Sequence, residues 1–343
     1  FDRARGYTGM SFYVQGPGTR HGNGLDGLEQ AAPTTLRGTV DGQMARFEGY
    51  LRDAVAWHRD RPGRLPGGRV RVDLDVVGFS RGAALARDFS NEVADYRRSG
   101  RLATDYGGCV DVLQRLLALF DTVLSSHRLL RGDAPIRLAV PPEVAHAFHA
   151  VALHEKRDRF PLESILADPA AAEAGGTAHR VERGFIGAHA DIGGGYNGLE
   201  TTHPTGGDLS DLALQWMVQQ ARRAGVRLHE LPAELRRVTS PIVHDPRREA
   251  LWRWTGAMRH GSREVRFHPP SGASGTPGAG HRQPQSAVRW AHVAGQAETE
   301  RFVVGGFDTG RHDPRVGVVQ LCSYLAWLRA HHGMAIDPHP GCS

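Results

Sequence analysis

The stretch Asp73 to Arg87, DLDVVGFSRGAALAR, limits what this chain can fold into more than any other. A short apolar run (Leu74, Val76, Val77) meets Gly-Phe-Ser-Arg-Gly and passes at once into small helix-forming residues, the pattern of a buried strand turning sharply into a helix. Ser80 stands at the bend. Such a turn holds its serine in strained backbone geometry, and Gly78 and Gly82 are expected because a side chain at either would collide with the facing strand or helix. Ala83, Ala84 and Ala86 let the helix lie close. Its N-terminus aims backbone N–H groups, that of Arg81 first, and the positive end of the helix dipole at an oxyanion forming beside Ser80. The competing reading is a tight β-to-α turn whose serine only caps the helix.

A strand–turn–helix of this kind belongs to an α/β protein. The expectation is an α/β-hydrolase-like, mostly parallel sheet with helices on both faces, forming a single domain over residues 1–343. No apolar run approaches the roughly 18 residues of a membrane-spanning helix. Phe1 is followed by no charged-then-apolar leader, which reads as a fragment or processed chain. The formal net charge is +5, and of the 42 basic side chains only Lys156 is a lysine. Arginine can grip phosphate bidentately, but here it is scattered rather than striped, so genome composition is the preferred explanation. No basic run with interleaved aromatics suggests nucleic acid. Cys109, Cys322 and Cys342 are too few and too irregular for a disulfide framework or zinc knuckle and read as incidental thiols.

Along the chain, residues 9–14 (GMSFYV) read as a strand, with Gly16 to Thr19 as a loop that could line a pocket. Met44, Phe47, Leu51, Ala54 and Val55 recur at helical spacing within Val40–Trp57, a helix preceding a strand over 70–78. After the Ser80 helix (about 82–98), Val112–Val123 reads as an apolar strand ending at Asp121. An acidic residue at such a strand end often faces the site, which makes Asp121 a rival for a catalytic acid; its plainer role is to cap a loop. His146–Leu153 is a third strand, and residues 163–178 read as a loop or surface helix.

Phe185–Tyr196, FIGAHADIGGGY, is the second informative stretch. A short strand ends in His-Ala-Asp, and three glycines let the backbone turn without crowding Asp191. Two apart in an extended segment, His189 and Asp191 would share a face, but no third ligand stands at metal-site spacing. Asp191 is therefore read as the carboxylate that orients a catalytic histidine, and His189 as a satisfied structural histidine. Asp208 caps an amphipathic helix whose stripe (Leu209, Leu212, Ala213, Trp216, Met217) is core. His244 then stands on a loop, and Ser80, Asp191, His244 follow the nucleophile–acid–base order of α/β-hydrolases. Among 19 histidines, His268, His281, His292 and His312 also compete. Residues 269–288 are Gly/Pro/Ser-rich and read as a flexible insertion, Phe302–Val304 as a strand and Val318–Leu328 as a terminal helix.

YVQGPGT at 13–19, GFSRGA at 78–83, LFDTV at 119–123, HAVALHEKRDRF at 149–160, FIGAHADIGGGY at 185–196, LSDLALQWM at 209–217 and VHDPR at 243–247 together resemble the catalytic domain of type VI secretion phospholipase effectors. The resemblance runs from Tyr13 to Arg263. It implies a serine esterase acting on phospholipid acyl esters, delivered by some bacteria into rivals, with Ser80 as nucleophile, Asp191 as acid and His244 as base. It also implies contact with a membrane surface and an immunity or secretion-system partner, with residence in the bacterial cytoplasm before any secretion. Three departures stand out: no strand ending in Asp-Gly-Thr precedes YVQGPGT, His154 replaces an acidic residue before Glu155, and Pro246 replaces a serine after His244-Asp245.

The expected reaction needs neither metal nor organic cofactor, since Arg81 N–H, Ser80 and a histidine–carboxylate pair supply it. Two other functions fit the same residues. One is a soluble carboxylesterase or thioesterase, because substrate choice lives in the pocket rather than the fold. The other is a non-catalytic scaffold, favoured if Asp191 or His244 lies too far from Ser80 to form a hydrogen-bonded chain, or if the oxyanion site is unfilled.

Overall fold

Runs of β-branched and apolar residues that alternate poorly with polar ones, such as VDVLQRLLALF and HAFHAVA, suit strands covered on both faces. The computed structural model describes residues 9–14, 33–59, 69–124, 136–155, 157, 160–174, 176–194, 209–239, 241–244, 263–269, 286–289, 296–304 and 315–342. Its principal elements are α1 (Pro33–Arg59), β1 (Val70–Phe79), α2 (Arg81–Arg98), β2 (Val110–Phe120), β3 (His146–Ala152), β4 (Leu162–Glu163), β5 (Gly176–Thr177) and β6 (Arg180–Phe185). They are followed by α3 (His189–Gly193), α4 (Leu209–Arg223), β7 (Ile242–His244), β8 (Glu264–Phe267), β9 (Ser286–Arg289), β10 (Val303–Val304), β11 (Arg315–Val319) and α5 (Leu321–His332).

The fold is mixed α/β around a mostly parallel central sheet of order β1-β2-β3-β6-β5. β1 to β6 in that order run parallel, and only β5 is antiparallel to its neighbour. Two three-stranded sheets, β10-β11-β7 and β4-β8-β9, accompany it among the described residues. The pairing of β1 with β2 skips a residue between Gln114 and Leu116. This bulge at Arg115 lets Val110 and Val112 share a face with Leu117 and Leu119 despite the odd spacing. The Arg115 guanidinium ties the bulge to β1, its Nε 2.8 Å from Asp75 Oδ1 and its Nη1 3.1 Å from Asp73 Oδ2.

One face of the sheet receives α1 and α2. Phe47, Leu51, Phe89 and Val93 pack there with Val70, Val72 and Val112. Ala83 and Ala86 approach Leu117, Leu119 and Ala147 closely because they carry only a methyl group. The other face receives α4 and α5, where Trp216, Tyr324 and Leu328 pack on Leu116, Phe148 and Phe185. The stripe Leu209, Leu212, Ala213, Trp216, Met217 is fully buried, as its helical spacing predicts. Each such large side chain contributes roughly 1.5–3 kcal/mol on leaving water.

Several expectations need correction. Residues 9–14 form no strand; Met10, Phe12 and Tyr13 lie exposed. The terminal helix starts at Leu321, because Arg315–Val319 is instead a strand paired to both β10 and β7. Residues 163–178 do contain a short helix, at Pro169–Glu173, but also the two-residue strand β5, which was not expected. Cys322 and Cys342 are joined in a disulfide, so two of the three cysteines are not incidental thiols; Cys109 is free and exposed. A separation of 20 residues hides such a pair in sequence, since what brings them together is the return of the chain end along α5. Gly16 to Thr19, Asp208, His281, His292, His312 and residues 270–285 lie outside the described residues. Among the described residues no helix is long and apolar enough to cross a membrane.

α5 is pinned to the sheet by a histidine that must stay neutral. His332 Nε2–H donates to the Gly184 carbonyl at 2.8 Å. Burial pushes this imidazole down to about 4, the bond to Gly184 opposing and Arg183 adding to the shift. A histidine whose folded value lies below its unfolded one takes up its proton more readily when unfolded. Stability is therefore whole above about pH 6.5 and declines as pH falls toward 4, by roughly 3 kcal/mol in the limit. His332→Gln, which keeps a donor but does not titrate, is expected to flatten the loss of unfolding free energy between pH 7 and 4.5. Equal pH slopes for the two proteins would remove His332 as the cause.

Candidate active site

β1, β2 and β6 are parallel, so their carboxyl ends open on the same edge of the sheet, the usual place for a site in such a fold. Each delivers one residue there. Ser80 follows β1 directly, Asp121 follows β2 directly, and His189 begins α3 shortly after β6. Ser80 (φ 59) and Asp121 (φ 39) are the only non-glycine residues with positive φ among the described residues. Both strained backbones thus sit at one place, and such strain costs on the order of 1–3 kcal/mol each.

The strain at Ser80 has a local cause. The chain leaves β1 and enters α2 with no intervening loop, and Gly78 sits so close to that helix that an added Cβ would lie 2.6 Å from Ala83 Cα and 2.6 Å from Gly82 O. Gly82 differs from expectation: nothing lies within 4 Å of its Cβ position, so only the first glycine of the pair is sterically required. The Ser80 hydroxyl makes no capping bond to α2. It points to His189, whose Nε2 is 2.8 Å from Ser80 Oγ. The other ring nitrogen, Nδ1, lies 2.6 Å from Asp121 Oδ2. With the carboxylate able only to accept, Nδ1 carries the proton and Nε2 is left to accept from the serine.

Asp121 is completely buried, and its carboxylate is held from every side. Oδ1 accepts from Ala152 N at 2.9 Å and Arg263 Nη1 at 2.7 Å, and Oδ2 from Arg263 Nη2 at 2.9 Å. Burial alone would raise this acid, but Arg263 and His189 outweigh it and hold the carboxyl well below the ordinary range. Burial pushes His189 the other way, down, against the pull of Asp121. The imidazole lies between two rings: Phe79 at 4.6 Å between centroids and Phe160, edge-on, at 5.1 Å. Gly193 makes room for Phe79, since a Cβ there would lie 2.1 Å from ring carbons. Glu155 Oε2 accepts from His189 N at 3.3 Å and is itself matched by Arg157.

The residues expected to complete the site are arranged differently. Asp191 and His244 do meet, with His244 Nδ1 2.5 Å from Asp191 Oδ1, but the hydrogen-bonded chain from Ser80 runs to His189 and Asp121. The physical reason is the helix. His189–Gly193 is a turn of α-helix and not an extended segment, so residues two apart diverge by about 200° rather than sharing a face. His189 turns toward Ser80 while Asp191 turns back, its Oδ2 accepting from Ala188 N at 2.8 Å and His244 N at 3.0 Å. Asp191 thereby closes the N-terminus of α3 and ties it to β7. Burial raises its carboxyl, with the His244 bond and the two backbone N–H groups only partly offsetting that. His244 is on the last position of β7, not in a loop. His268 pairs with Glu163 at 2.7 Å.

Among the described residues no group of three His, Cys, Asp or Glu side chains could hold a metal ion. What stands here is a serine, an imidazole and an ionised carboxylate in series, a set able to generate an alkoxide-like nucleophile. In the sequence, Asp121 stands out as a rival acid by its place at a strand's carboxyl end, whereas His189 reads as a structural histidine. The signal available was a histidine opening the segment after a strand end, which becomes telling only if that segment is helical. Arg263 carried no local signal.

Comparison with known proteins agrees with the resemblance read from the motifs. Residues 94–220 match the family described as T6SS, Phospholipase effector Tle1-like, catalytic domain. Asp121, His189 and Asp191 lie within this span; Ser80, His244 and Arg263 lie outside it. Among similar solved structures, the Tle1 effector bound to the VgrG spike from the Type 6 secretion system is 34% identical over 38% of this chain and 26% of its own, with a TM-score of 0.28. An uncharacterized protein from Pseudomonas aeruginosa is 26% identical over 61% of this chain and 30% of its own, with a TM-score of 0.33. The chain spans less than a third of the length of either. No curated protein matches.

Proposed function

We propose that this chain is a serine hydrolase of the α/β-hydrolase class that cleaves phospholipid acyl esters, with Ser80 as nucleophile, His189 as general base and Asp121 as the carboxylate that orients it. The observation that carries this reading is the unbroken series Ser80 Oγ, His189 Nε2, His189 Nδ1, Asp121 Oδ2, with contacts of 2.8 and 2.6 Å. The phospholipid substrate rests on the family matched by residues 94–220, as does a secretion-system partner.

In the reaction, Ser80 Oγ attacks the ester carbonyl carbon as His189 Nε2 takes its proton, and Asp121 stabilises the imidazolium that forms. The tetrahedral oxyanion faces the start of α2, where the Arg81 N–H and the positive end of an 18-residue helix favour negative charge. On collapse the ester C–O bond breaks, His189 returns the proton to the leaving alcohol, and Ser80 remains acylated. Water activated by the same imidazole then releases the fatty acid and restores the hydroxyl. Phe79 and Phe160 keep bulk water from the flanks of the base, which strengthens each of these contacts.

The test is labelling by a fluorophosphonate probe, which reacts only with an activated serine. The wild-type chain is expected to label and Ser80→Ala to lose all labelling. Release of fatty acid from dispersed phospholipid, compared with hydrolysis of short soluble esters, then separates a phospholipase from a soluble carboxylesterase or thioesterase. A folded wild-type chain that does not label would leave the non-catalytic scaffold in place of this proposal.

A further inference from the structure

Ser-His-Asp chemistry asks of its carboxylate only that it orient the histidine and stabilise the imidazolium. Asp121 does more than that geometry needs. Its two oxygens accept a two-pronged bond from the Arg263 guanidinium, and the same side chain reaches further, Nε donating to the Phe160 carbonyl at 2.8 Å and Nη1 to the Ala152 carbonyl at 3.1 Å. The Arg263 side chain is 5% exposed, so the pair is shielded from solvent. A buried planar fork on a carboxylate fixes the carboxylate's plane as well as its charge. Because Phe160 also borders the imidazole, one guanidinium holds both the acid and a wall of the base's pocket.

The charged groups around His189 all follow this pattern. Asp121 is matched by Arg263, and Glu155, which accepts from the His189 N–H, is matched by Arg157 through Nε at 2.9 Å and Nη2 at 2.7 Å. Asp191, on the same short helix, faces away toward His244. Among the described residues, Asp121, Glu155 and Asp191 each have a cation or an imidazole as partner.

We propose that Arg263 is a positioning residue of this site: it locks the Asp121 carboxylate so that Oδ2 is offered to His189, and its charge offsets that of the carboxylate, so that Asp121 orients the imidazole without holding a proton on it too tightly. The inference rests on the reading of His189 as the base. Removing the cation leaves a negative dyad that binds a proton more tightly, whichever member carries it. The direction of the effect is therefore fixed.

The experiment uses Arg263→Met and Arg263→Lys in the full chain. In Arg263→Met the acid limb of the kcat/KM profile is expected to move up by about one pH unit, and Arg263→Lys, which restores charge without the fork, to return most of that shift while the plateau stays lowered. A residue that merely braced the fold would lower the plateau and leave the limb where it was. In parallel, the His189 imidazole is titrated by NMR in a Ser80→Ala background, its resonance identified by its loss in His189→Ala. This reading needs no turnover, so a failed hydrolase proposal shows as absent labelling and a failed Arg263 proposal as an unmoved titration. Should Arg263→Met not fold, Arg263→Lys decides, since it keeps the charge and loses the fork: a plateau equal to that of the wild type would overturn the proposal.

Discussion

His189→Ala is expected to lower kcat by about a million-fold, the loss seen when a serine nucleophile is deprived of its base, while His244→Asn is expected to keep activity within about tenfold of wild type. The two histidines are separated by the direction in which α3 turns, which points His189 at Ser80 and Asp191 at His244. His189 Nε2 stands 2.8 Å from Ser80 Oγ, whereas His244 Nδ1 and backbone N both serve Asp191. An asparagine at 244 can offer an N–H to Asp191 in place of the Nδ1 proton, so the buried carboxylate keeps a partner. His244→Ala leaves that oxygen without one and is expected to cost about 1–3 kcal/mol of stability with a smaller effect on turnover of the folded fraction. Steady-state kinetics on folded His189→Ala and His244→Asn decide between the two bases: an inactive His244→Asn beside an active His189→Ala would return the base to His244.

The second large effect is in the turn itself. Gly78→Ala is expected to destabilise the chain by about 3 kcal/mol or more, and Gly82→Ala to lie within about 1 kcal/mol of wild type or above it. The Cβ of residue 78 would meet backbone atoms of Gly82 and Ala83 well inside contact distance, and backbone at the start of an 18-residue helix cannot step aside without shifting Ser80. At residue 82 the Cβ position is open, φ is not positive, and alanine suits a helix better than glycine. Denaturant midpoints measure both. Equal losses at the two positions would mean that the turn is limited by the helix rather than by the close approach at Gly78.

Much of this was legible because the signals are local. The helix read over 40–57, the strands read over 70–78, 112–123 and 146–153 and the stripe of α4, each of which overlaps an observed element (33–59, 70–79, 110–120, 146–152 and α4), follow from hydrophobic period, which depends only on near neighbours. So does the elbow, since a strand that becomes a helix across one serine needs a glycine and small residues at set positions. Asp121 at a strand's carboxyl end could be named as a candidate for the same reason. Residues 189–191 differ, because a single local conformation decides their geometry: extended, they would put His189 and Asp191 on one face, whereas one turn of helix points His189 at Ser80 and Asp191 at His244.

The sequence by itself determined the setting of Ser80: its place at the bend, Gly78 before it, and a mostly parallel sheet whose strand ends meet there. Only the tertiary structure decided which histidine and which carboxylate stand in series with Ser80, and that Arg263 binds Asp121 from 142 residues away in the chain. It also decided that Cys322 and Cys342 meet. The reason is common to all three. Periodicity and turn chemistry are fixed by bonded neighbours, but partners brought together across a sheet are chosen by how the whole chain packs, and a side chain's direction on a five-residue helix leaves no trace in composition or spacing.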